Sequence, residues 1–192
     1  MDRPDRDRPD PDRLLSERLL SERLAEFRPT PWTGEVWRHT LGTNPPDRRN
    51  TRGARWNPSG VEALYVSVDR ATALAEGDYL IAAQPLRPIA RRTIHRLQVS
   101  MAALVDLTEP GALERLGIDD EARSSDDHRA CQSLGAAAAL LGLDGLMVPS
   151  ARSPGANIVI LFGNPRTTPR IEVIDSEPLS ADAGAGYAEA AT

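Results

Sequence analysis

The amino-acid sequence predicts a single α+β domain, and three observations carry that expectation. Strand-like alternation and helix-like apolar spacing interleave along the chain. Leu97, Val99 and Met101 alternate within 94–101, while Ala130, Cys131, Leu134, Ala137, Ala138 and Leu141 recur at helical spacing. The 192 residues are 40% hydrophobic, enough for one domain with a real core and tight for two. Neither a GxGxxG nor a Walker A motif occurs, which disfavours Rossmann and P-loop nucleotide sites.

The elements follow in order. Residues 1–12 are Asp, Arg and Pro after the initial Met; they have little to bury and are expected to be disordered. Residues 14–27 repeat the unit LLSER and form a helix by propensity. Five residues rotate by about 140°, so the leucines wander around the helix instead of forming a coiled-coil seam. This helix either packs on the domain or docks a partner or a second copy. Pro29 and Pro31 end it. Residues 1–30 are therefore an N-terminal extension, 33–165 the folded domain, and 166–192 a C-terminal segment that is largely a disordered tail from Ser176.

Within the domain, 35–41 is a strand and 42–62 a long polar loop, of the kind that is usually functional or mobile. Residues 63–67 are a short strand, followed by a helix over 69–83 with Asp69 or Ser67 as its N-cap. A strand at 94–101 precedes a short helix at 110–116, which Gly117 suits as a C-terminal cap. Ser124 and Asp127 fit a capping box opening the next helix, which Gly142 ends. Strands at 146–148 and 157–162 complete the core, and 171–174 adds an edge strand.

Composition excludes several functions. The net charge of −5 and 4% aromatic content argue against general nucleic-acid binding. Every basic residue is Arg, so Schiff-base lysine chemistry is excluded and any cation that meets an anion is a guanidinium. One cysteine and three scattered histidines offer no metal site. No apolar signal segment or membrane span is evident, and the protein is expected in the cytoplasm.

The candidate chemistry is an anion site around Arg38, Arg55, Tyr65 and Glu76. Arg55 and Trp56 lie in the Gly/Pro-rich run GARWNPSG, where the guanidinium either reaches a ligand or stacks on Trp56. Arg38 shares a strand face with Val36 and Thr40, which hints at a cleft. Glu76 sits in an apolar helical run as a partly buried carboxylate or a solvated one. Tyr65, on an apolar strand, either packs in the core or offers its ring to a ligand. Ser150 lies in a polar loop between two strands, and no GxSxG elbow makes it a hydrolase nucleophile.

In this order, VWRHT, GARWNPSGVEALYVSVDRATALAE, VDLTEPGALERLGI and QSLGAAAALLGLDGLMVPSARSPGANIVILF resemble the RES domain family over about 36–162. Ala54 departs from the family by standing where a second glycine is frequent. The resemblance implies an ADP-ribosyltransferase-like fold with a split central sheet and flanking helices, and a cleft for NAD+. It implies the toxin of a toxin–antitoxin pair that cleaves the nicotinamide–ribose bond, with phosphate or water as acceptor. Alternatives are transfer of ADP-ribose to a protein, or a nucleotide- or partner-binding module without turnover. It further implies NAD+ as substrate, phosphate as co-substrate, no prosthetic group and no metal. The expected partner is a small helical DNA-binding antitoxin, with no direct nucleic-acid or membrane contact. Residue by residue, Glu76 and Arg38 match the catalytic pair; Arg55, Tyr65, Ser150 and Trp56 match substrate-binding positions.

Overall fold

The structure is a computed structural model that describes residues 11–83 and 91–179. Of the disorder expected at 1–12 and from Ser176, residues 1–10 and 180 onward lie outside the described residues, while 11 and 12 belong to the first helix. The elements are α1 (Pro11–Ala25), β1 (Thr30–Leu41), β2 (Ala63–Ser67), α2 (Arg70–Ala82), β3 (Arg92–Asp106), α3 (Ala112–Arg115), α4 (Asp120–Ser124), α5 (Arg129–Leu140), β4 (Gly145–Pro149), β5 (Ala156–Leu161) and β6 (Arg170–Leu179). They form one mixed α+β unit.

All six strands of the described residues join one sheet in the order β1-β2-β5-β4-β3-β6, and β1 also pairs with β3. Five strands therefore close on themselves, and β6 adds to the outer edge of β3. The split sheet is corrected to a continuous, closed one. The length of β3 is the physical reason. Its first part, Arg92–Ser100, lies between β1 and β6, while Leu104–Asp106 pairs in parallel with β4. Pro31 lies within β1 despite lacking an N–H, because the register shifts between Thr30 and Trp32.

Alternation sorts the strand residues into two cores. Leu64 and Val66 of β2, Ile158 and Ile160 of β5, and Val36, Leu97 and Val99 fill one cluster. Ala63, Val159, Leu161, Leu146 and Val148 turn to the other face and meet α5, α3 and α1 through Leu134, Cys131, Leu113 and Leu24. Leu24 is 1% exposed, so α1 is packed on the domain through its last turn. Asp144 is fully buried and takes hydrogen bonds from Ala102 N, Ala103 N, Asn164 and Thr167, which anchors the start of β4 to β3.

Two local expectations change. The capping box at Ser124 and Asp127 does not form. Asp119 caps α4 instead, accepting from Ala122 N, and Ser124 ends that helix with its hydroxyl bonded to Asp120 O. Asp127 is occupied with Arg129, and α5 begins after His128 without a side-chain cap. β6 extends to Leu179, past the edge strand expected at 171–174 and past the Ser176 start of the expected tail.

Candidate active site

Helix α2 presents Glu76 because of how the helix starts. Asp69 caps it, accepting from Thr72 N and Thr72 Oγ1, each at 2.7 Å. Thr72 Oγ1 also meets Ser153 Oγ at 2.7 Å. Gly155 packs so tightly here that a Cβ would stand 2.1 Å from Thr72 Oγ1. The 150–155 loop is thus docked on the first turn of α2. Glu76 lies four residues after Thr72 and shares its face, so it meets the same loop. Ser150 Oγ donates to Glu76 Oε1 at 2.7 Å, and Asn157 Nδ2 donates to the same oxygen at 2.6 Å. Glu76 Oε2 has no partner among the described residues.

The donors are themselves fixed. Ser150, 6% exposed, accepts from Arg152 N, which leaves its proton for Glu76. Ser67 Oγ donates to Asn157 Oδ1 at 2.7 Å, which sets the amide with its nitrogen toward the carboxylate. Arg123 Nη1 holds the Ser150 carbonyl at 2.8 Å. The candidate list lacked Asn157, Ser67 and Arg123. Asn157 had a signal: it is the one polar residue leading an apolar strand, directly opposite Ser67 on β2.

The other candidates divide. Arg55 Nη1 donates to the carbonyls of Arg123 and Ser125 at 2.6 and 2.8 Å, satisfying the end of α4. It thereby connects to Ser150 through Arg123. Tyr65 is half-buried on β2; its hydroxyl donates to Asn57 Oδ1 at 2.6 Å and accepts from Trp56 N at 3.0 Å. Burial pushes its phenol well above the usual tyrosine range. These bonds, with Asn57 Nδ2 to Val61 O, pin the loop that was expected to be mobile or functional.

Trp56 is buried in the core. It is 4% exposed within the helix-side cluster, and its carbonyl lies where a Cβ on Gly135 would be, 1.7 Å away. Gln132 of α5 donates to Ala54 O, so the whole turn is seated on that helix. Arg55 consequently does not stack on Trp56.

Arg38 lines a separate part of the surface, a cavity of about 450 Å³ shared with His39, Arg48, Arg49, Arg52 and Leu80. Its Nη2 donates to Arg48 O at 2.9 Å, while Nη1 is buried without a partner among the described residues. Burial lowers the Arg38 pKa to about 10, with Asp47 opposing the shift. The cavity wall reaches α2: Leu80 is one turn beyond Glu76, and His39 packs against Gly77. A smaller hollow of about 260 Å³, lined in part by Glu109, Glu114, Asp120 and Arg123, is acid-rich and suits an anion poorly. Among the described residues no cluster of His, Cys, Asp and Glu can hold a metal ion, and no helix is long and apolar enough to cross a membrane.

The RES domain profile matches residues 28–182, taking in every strand and the whole Glu76–Ser150–Asn157 network. The chain belongs to the RES domain family. This RES domain is 32% identical over 127 residues to the NAD(+) phosphorylase MbcT of Mycobacterium tuberculosis and of Mycobacterium bovis. The match covers 61% of this chain and spans 64% of the length of those relatives. The crystal structure of the M. tuberculosis MbcT–MbcA toxin–antitoxin complex superposes on the RES domain with a TM-score of 0.74 at 26% identity. That match covers 84% of this chain and 92% of the other.

Proposed function

We propose that this RES domain cleaves the nicotinamide–ribose bond of NAD+ and transfers the ADP-ribosyl unit to inorganic phosphate, as the toxin of a toxin–antitoxin pair. The observation that carries the reading is the Glu76 carboxylate, held at Oε1 by Ser150 and Asn157 with Oε2 left for a substrate. Its occurrence in a chain similar to a named NAD(+) phosphorylase supports the choice of substrate.

Loss of nicotinamide builds positive charge on the ribose carbon and its ring oxygen. A carboxylate fixed beforehand beside that charge stabilises the transition state without reorganising. Two donors on one oxygen stop Glu76 from rotating, and Oε2 accepts from a ribose hydroxyl. The half-buried ring of Tyr65 offers an apolar face to nicotinamide. The N–H groups of Arg55 not bonded to α4 bind the diphosphate. Ser150 acts through Glu76 as a positioning residue. The same reading carries a likeness to ADP-ribosyltransferases, a cytoplasmic site of action, and a helical DNA-binding antitoxin that covers the cleft. It also makes α1 a candidate contact for that partner or for a second copy.

The test is incubation of the purified chain with NAD+, with and without phosphate, followed by mass analysis. Phosphate-dependent release of nicotinamide with ADP-ribose-1″-phosphate is the expected result. NAD+ that stays intact over hours in phosphate would sink the reading, and free ADP-ribose in equal yield without phosphate would replace the acceptor by water.

A further inference from the structure

The cavity beside α2 has an unusual charge. Four arginines, Arg38, Arg48, Arg49 and Arg52, line it, and no Asp or Glu does, in a chain whose net charge is −5. Two of the four are occupied by the protein. Arg49 is paired with Glu62 at 2.8 Å and lies over the Phe162 ring, and Arg48 is tethered to Asn44 Oδ1. Two are open. Arg38 Nη1 is the one buried side-chain nitrogen or oxygen without a partner among the described residues. The Arg52 side chain has neither an ion pair nor a hydrogen bond among those residues, while its backbone N–H is held by Asn50 Oδ1. A buried cationic N–H without an acceptor is costly, and its persistence in a fold calls for a ligand that supplies the oxygen.

We propose that this cavity binds a phosphate oxyanion, and that its occupant is the inorganic phosphate acceptor of the reaction. The inference rests on the phosphorolysis reading and assigns its second substrate a place. Arg38 Nη1 and Arg52 donate to the phosphate, Arg48 adds charge, and Arg49 forms wall. The location fits, because Leu80 and His39 bring the cavity within one helical turn of Glu76 along α2. From there a phosphate oxygen forms a bond to C1 of the nicotinamide ribose as the carbon–nitrogen bond breaks. The bonding pair moves to the ring nitrogen and cancels its positive charge, so nicotinamide leaves neutral with no proton needed. The proton remaining on the phosphate passes to solvent.

The diphosphate of NAD+ has the same oxyanion chemistry, and kinetics separate the two sources. In Arg52→Gln the KM for phosphate is expected to rise about ten-fold or more, the scale of one charge-assisted hydrogen bond. The KM for NAD+ should stay within about two-fold on that scale, and the product should shift from ADP-ribose-1″-phosphate toward ADP-ribose. An equal rise in the KM for NAD+ would reassign the cavity to the diphosphate. No change in either would make it an empty wall. Calorimetry with inorganic phosphate alone keeps this separate from the reading it rests on. Phosphate binding that Arg52→Gln weakens, in a chain that leaves NAD+ intact, sustains the site and sinks the enzyme. NAD+ phosphorolysis with unaltered phosphate binding in the variant does the reverse.

Discussion

Glu76→Gln separates the charge of this side chain from its structural contacts. Oε1 accepts from Ser150 and Asn157 at 2.7 and 2.6 Å, and an amide oxygen can occupy the same position. Both hydrogen bonds then persist, weakened by about 1 kcal/mol each as a charged acceptor becomes neutral. Half-burying a neutral amide costs less than half-burying a carboxylate, which offsets part of that loss. The net stability change should stay within about 1 kcal/mol, or about 2–4 °C in Tm for a domain of this size. Turnover should respond far more. Loss of the fixed negative charge beside the ribosyl cation should slow kcat by about 100-fold or more, equivalent to about 2.7 kcal/mol of transition-state stabilisation. Glu76→Ala provides the contrast. It leaves two donors without an acceptor, at about 1–3 kcal/mol each, so it should lower Tm clearly as well. The assay is initial-rate nicotinamide release at saturating NAD+ and phosphate, beside thermal melting of each variant. A Glu76→Gln enzyme within ten-fold of the parent would refute the electrostatic role.

Tyr65→Phe keeps the ring but orphans Trp56 N–H and Asn57 Oδ1, and should destabilise the fold by about 1–3 kcal/mol per group in denaturant titration; an unchanged midpoint would contradict the pinned loop. Gly135→Ala puts a Cβ 1.7 Å from the Trp56 carbonyl, a backbone contact that cannot swing away, so a folded variant of parental Tm is not expected. Stability should also depend on pH. Burial first, then the nearby Arg92, lowers the His39 pKa to about 4, with Asp78 opposing; burial likewise lowers His95 and His128. The folded state then holds fewer protons than the unfolded chain between about pH 6.5 and 4. Stability is full above that window and is lost as pH falls through it. Melting curves from pH 7.5 to 4 should show this slope, and His39→Gln should flatten it.

Much of the fold was legible because it rests on local chemistry. Asp69 caps α2 as its position implied, and the alternation of Leu97, Val99 and Met101 marks the buried face of β3. Gly117 and Gly142 take the positive φ angles that close α3 and α5. The misreadings share a cause. Ser124 and Asp127 have the residue types of a capping box, but Ser124 closes the preceding helix α4 and Asp127 is held by Arg129, so neither caps α5. Trp56 follows Arg55 in a polar loop, and its burial depends on α5, whose Gly135 leaves room for the Trp56 backbone. Asn157 looked like the first residue of a strand; its amide matters because Ser67 and Glu76 flank it in space.

The sequence by itself determined the element types, the two alternating faces of the strands and the order in which Arg38, Arg55, Tyr65, Glu76 and Ser150 follow one another. Those properties depend on neighbours within one turn or one pleat. Tertiary structure alone decided that β1 closes the sheet onto β3, that Trp56 is core, that Arg55 serves the end of α4, and that Arg38 joins the loop arginines around a cavity. Each of these is a contact between residues distant in the chain. Which acceptor a donor finds, and which side chain water no longer reaches, is settled only when the sheet and helices pack together.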